Sequence, residues 1–90
     1  MTAEAMDKEQ FLRERENLQL LCSGKLTADE RVALCRKWKA EQFVDQTHQV
    51  IFEEIAKLGA VRHRQLQELL PARVTNRGFP DVSMEEYFSN

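Results

Sequence analysis

Glycine and proline are scarce in this chain, three and two among 90 residues. None of the glycines belongs to a phosphate-cradling loop or a Gly-x-Ser-x-Gly elbow, and the His-Glu-x-x-His pattern is missing as well. Cysteine is equally sparse. Cys22 and Cys35 lie thirteen positions apart, too few and too far apart for a disulfide scaffold or a metal knuckle. No apolar run approaches the roughly 18 residues needed to span a bilayer. The opening residues carry acids and no apolar core, which is not the pattern of a secretory leader. A net charge of −2 gives no global attraction to nucleic acid or to acidic membranes. A cytoplasmic protein with reduced thiols and no cofactor is the expectation.

What remains is an ordinary helix-rich composition, 42% hydrophobic and 31% charged, in one small domain. A chain of this size buries only about 60–65% of its unfolded surface, so association between chains would help it. Residues 1–6 are expected to be disordered. A first helix is expected over 7–22, with Phe11, Leu18, Leu21 and Cys22 inward, Leu12 and Leu20 flanking, and Arg13, Glu14, Arg15 and Glu16 on the wet side. The short break around Gly24 favours an antiparallel hairpin with the next helix.

Residues 27–59 organise the chain. Thr27 and Glu30 form a capping box, and Gly59 is a stop signal. Between them run two apolar stripes. Val32, Leu34, Cys35 and Trp38 make the first. Val44, His48, Ile51, Ile55 and Leu58 make the second, offset by a quarter-turn or more. Either a straight helix shows two faces to two neighbours, or the helix breaks near Asp45, with Asp45 or Thr47 as the new cap; the break is the favoured reading. A shorter helix over 62–70 should end at Pro71. Residues 71–90 read as an extended tail, docked by Phe79, Val82, Tyr87 and Phe88 on this chain or on a partner. The fold class expected is all-α, a small helical hairpin or bundle with a long or bent central helix.

Several constellations compete for function. Glu41, Asp45 and His48, spaced four then three, would share one face of a continuous helix and offer weak candidate metal ligands, as in helical-bundle metal proteins. Arg62, His63, Arg64, Arg73 and Arg77 form a basic patch for an anion or nucleic acid. Pairing with the chain's own acids, including Asp81, Glu85 and Glu86, is the plainer reading. The stretch from Ile51 through Gly59 to Leu70 looks like a helix-turn-helix, although Ile55 occupies a position where that motif prefers a small residue. Arg36, Lys37 and Lys39 surround Trp38, either as stems shielding the indole or as a binding patch. Cys22 and Cys35 read as small buried hydrophobes. Ser83 and Glu86 repeat the capping-box letters and also resemble an acidic phosphorylation site.

The function expected is a non-catalytic helical interaction module, self-associating as a homodimer or pairing with another helical protein. Its seam is expected at Val44, His48, Ile51, Ile55 and Leu58, whose stripe one small chain would struggle to cover. A nucleic-acid-binding protein using the Arg62 to Arg77 patch and a helical metal protein are the alternatives.

Overall fold

The apolar periodicity that marks residues 27–59 resolves into two helices, and the second becomes the axis of the molecule. A computed structural model describes residues 3–88, with side chains from residue 8 onward. Five helices follow in order: α1 (Ala3–Cys22), α2 (Ala28–Lys37), α3 (Gln46–Leu58), α4 (His63–Asn76) and the single turn α5 (Glu85–Phe88). A 3₁₀ turn, Ala40–Gln42, lies between α2 and α3. No strand occurs among the described residues, and the class is all-α. No helix among them is long and apolar enough to cross a membrane. The radius of gyration, 12.8 Å, is near the roughly 12 Å expected for one domain of this length.

α3 is the buried helix. His48, Val50, Ile51, Phe52, Glu54 and Ile55 are all withdrawn from solvent, because α1, α2, α4 and the 3₁₀ turn surround it. α1 packs chiefly on α3 and α5 rather than along α2. The core joins Leu18, Leu21 and Cys22 of α1 to Ile51, Phe52 and Ile55 of α3 and to Leu66, Leu70 and Val74 of α4.

The local signals explain the ends of these helices. The Thr27 hydroxyl accepts from the Glu30 N–H, and the Glu30 carboxylate accepts from the Thr27 N–H. Asp45 caps α3 by accepting from the His48 N–H at 3.0 Å. Gly59 closes α3 with φ of 68°. α2, however, ends without glycine or proline. Its exit at Trp38 lets Phe43 become buried and stack on Phe52 with ring centroids 4.8 Å apart.

Three expectations need correction. α1 begins at Ala3 rather than at residue 7, so residues 3–6 continue the helix; Met1 and Thr2 lie outside the described residues. Pro71 does not stop α4, which runs on to Asn76. The hydrogen bond that proline forgoes would go to the carbonyl of Gln67, an exposed residue where water can take its place. Beyond the proline, Val74 continues the buried row of Leu66 and Leu70. Finally, residues 73–80 are not extended throughout. Gly78, with φ of 99°, ends α4 in a Schellman motif: the Phe79 N–H donates to the Val74 carbonyl and the Gly78 N–H to the Thr75 carbonyl.

Candidate functional site

The most heavily hydrogen-bonded side chain is one expected, as a charged residue, on the wet side of α1. Glu14 of α1 is 2% exposed and reaches the start of α3. Its Oε2 accepts from the Val44 N–H at 2.6 Å and from Gln10 Nε2 at 2.8 Å. Its Oε1 accepts from His48 Nδ1 at 2.9 Å and from the Asp45 N–H at 3.3 Å. Burial alone would raise this carboxyl, but the bonds from Gln10, His48, Val44 and Asp45 outweigh it and hold the group below its ordinary 4.5. The carboxylate also satisfies two backbone donors at the positive end of α3.

His48 is fully buried. With Nδ1 donating to Glu14, the other ring nitrogen, Nε2, has no hydrogen-bond partner among the described residues. The ring packs against Phe11, with centroids 4.4 Å apart, and meets Tyr87 edge-on at 6.3 Å. An acid and an imidazole are thus joined, but both are buried, and neither is hydrogen-bonded to a hydroxyl or thiol among the described residues. The pair ties α1, α3 and α5 together.

Outside this clamp lies a groove of about 390 Å³ lined by Gln10, Phe11, Glu14, Val44, Asp45 and Gln46. Val44 stands beside it 73% exposed, and Phe11 and Leu12 are also exposed. Val44 precedes the cap of α3, so it cannot belong to that helix's stripe. The seam expected at Val44, His48, Ile51, Ile55 and Leu58 is therefore corrected. His48, Ile51 and Ile55 are covered by the chain's own helices, Leu58 packs partly against the same core, and Val44 alone stands clear.

The candidate metal ligands are not brought together. The chain leaves the helix between Glu41 and Asp45, so the four-residue spacing no longer places them on one face. Asp45 is occupied as a cap and His48 by Glu14, and no group of three or more potential ligands occurs among the described residues.

The basic patch is divided by the length of α4. Glu54, 3% exposed, accepts from Arg73 Nε at 2.7 Å and Arg77 Nη1 at 2.6 Å, and Arg77 Nη2 reaches Glu53 at 2.7 Å. Burial would raise Glu54, but the bonds from Arg77, Arg73 and Lys57 hold it below its usual value. The partners of these arginines are thus α3 acids and not Asp81, Glu85 or Glu86. Arg64 contacts Glu68 at 3.8 Å, and Arg62 is exposed. His63 packs toward Gly24 and meets Phe88 at 6.3 Å.

In the tail, Tyr87 is buried while Phe79, Val82 and Phe88 pack partly against the core of this same chain. Gln19 Nε2 donates to the Glu86 carbonyl at 3.0 Å, and Arg15 lies 3.7 Å from the Glu86 carboxylate.

Two buried charges are missed by the sequence reading. Glu14 lies in a run of alternating charge that masks its helical spacing, three from Phe11, four from Leu18 and seven from Leu21, which places it on the inner face. Arg31, 1% exposed, donates to the Val61 carbonyl and so ties α2 to the α3–α4 turn. It also faces both thiols, yet burial prevails and pushes Cys22 up to about 12 and Cys35 up as well. Comparison with protein-family models, curated proteins and solved structures finds no match for this chain, so its function must be read from its own surface.

Proposed function

We propose that this protein is a non-catalytic helical interaction module that pairs with a second copy of itself through the face formed by Phe11 and Val44. The supporting observation is the exposed Val44, at 73%, directly beside a groove lined by Phe11. A two-fold interface needs one patch that is both knob and socket, since each copy must offer the other what it receives. Val44 is the knob and the groove is the socket. The Glu14 bonds to the Val44 and Asp45 N–H groups fix the backbone that carries the knob, which lowers the ordering cost of association. A cytoplasmic setting suits the two free cysteines.

Light scattering over a hundredfold concentration range tests the reading. The native chain should show a concentration-dependent rise to twice the monomer mass, and Val44→Glu should remain monomeric with an unchanged helical circular dichroism spectrum. A native chain that stays monomeric throughout would overturn self-pairing.

A further inference from the structure

A second groove, of about 310 Å³, shares Gln10 and Glu14 with the first and is otherwise lined by Trp38, Arg13, Asn17, Gln42 and Phe43. We propose that it is a binding site for single-stranded nucleic acid, with a base stacked on Trp38 and phosphates held by Arg13, Lys37 and Lys39.

Three observations support this assignment. Trp38 leaves the end of α2 only half-buried, so part of its indole faces the groove. Arg13 lines the groove with Trp38; Lys37 and Lys39 do not line it but flank Trp38 in the chain, and all three cations are exposed. Among the described residues none of the three has a carboxylate within ion-pair distance. They differ in this from Arg73 and Arg77, whose charge is spent on α3. The one carboxylate lining the groove, Glu14, already accepts four hydrogen bonds, which leaves little of its charge to repel a phosphate. An aromatic face bordered by cations is the arrangement that holds unpaired strands, because every base offers a π-face and the backbone supplies regular charge. The Asn17 amide can both donate to and accept from a base edge; Gln10 Nε2 is committed to Glu14 and the Gln42 carbonyl, and Gln42 Oε1 to the Lys39 N–H, so Gln10 offers its oxygen and Gln42 its amide hydrogens.

The site is distinct from the Arg62 to Arg77 patch, and it neighbours the self-pairing groove without depending on it. With an overall charge of −2, steering from a distance is weak, so the local cations must supply the attraction and binding should be sensitive to salt. Three phosphate contacts on a single strand predict about a 20-fold loss of affinity over a fourfold rise in salt.

Trp38 is the only tryptophan in the chain, so its fluorescence reports the proposed contact directly. The full-length protein should be titrated with an oligothymidylate of about 15 nucleotides at about 50 and 200 mM salt. Saturable quenching is expected, weaker at the higher salt and reduced at least about fivefold in affinity by Arg13→Ala combined with Lys39→Ala. Both are surface residues, and unchanged circular dichroism would show that the variant folds. Absence of quenching and of labelled-oligonucleotide anisotropy change at the lower salt would overturn the proposal. Equal quenching by inorganic polyphosphate would also overturn it, leaving a bare anion surface. Equal quenching by polyglutamate would do so in favour of an acidic protein partner.

Discussion

His48 Nδ1 donates to Glu14 Oε1 across 2.9 Å, with both side chains at least 97% withdrawn from solvent (1% and 3% exposed). The two residues are 34 positions apart in the chain. The same carboxylate takes the Val44 and Asp45 N–H groups, so one side chain from α1 completes the start of α3.

Removing that carboxylate leaves several buried donors without an acceptor. Glu14→Ala should lower stability by about 3 kcal/mol, the cost of orphaning buried polar groups. Glu14→Gln, which keeps one acceptor oxygen, should lose less. Urea denaturation of the three proteins measures the order. An Ala variant as stable as the native chain would show that the clamp contributes nothing.

Acid should weaken the fold through Glu14 and Glu54, both held below 4.5 when folded. Their contribution is fully present above the unfolded carboxyl value. As the pH falls below that value the unfolded chain binds the additional protons, and the contribution is lost through the lower folded values. Unfolding free energy measured from pH 7 down to about 3 should therefore decline mainly below about 4.5. The decline should be shallower when both residues are replaced by glutamine.

Ile51→Glu separates a core position from an interface position. Ile51 has no exposure in the single chain, so a carboxylate there is buried without a partner and cooperative folding should be abolished. At concentrations low enough for the native chain to be monomeric, Val44→Glu should leave the unfolding free energy within about 0.5 kcal/mol of native. A well-folded Ile51→Glu monomer would place Ile51 at an interface after all.

Pro71 and Gly78 test the unexpected length of α4. Pro71→Ala restores a helical N–H and removes the ring's clash with the Gln67 carbonyl, so stability should rise by about 1–2 kcal/mol. Gly78→Ala should cost about 1 kcal/mol, because φ of 99° is strained for any residue with a Cβ. No neighbour crowds that position, so the whole cost is conformational. A Pro71→Ala variant less stable than native would mean that the proline suits its place.

The sequence by itself determined what depends on a few neighbouring residues. Thr27 with Glu30, Asp45 with His48, and the positive φ of Gly59 are local hydrogen-bond and steric facts that any surrounding fold leaves in place. The apolar spacing of Ile51 with Ile55 and of Leu66 with Leu70 likewise marked α3 and α4 as helices with a face to hide. Tertiary structure decided what covered those faces. Ile51 and Ile55 form an unsatisfied seam only if α1 pairs with α2, and in the fold α1 turns to α3 instead. Pro71 is a stop signal by propensity, but the burial of Val74 and the bonds of Arg73 and Arg77 to Glu54 hold the helix beyond it. Glu14 reads as a surface charge because its partners at the start of α3 lie about thirty residues away, and the burial of Arg31 against the Val61 carbonyl, equally distant in the chain, is likewise decided by the tertiary fold. Glu14 is tolerated inside because distant donors converge on it, and that convergence is a property of the assembled helices rather than of any one segment.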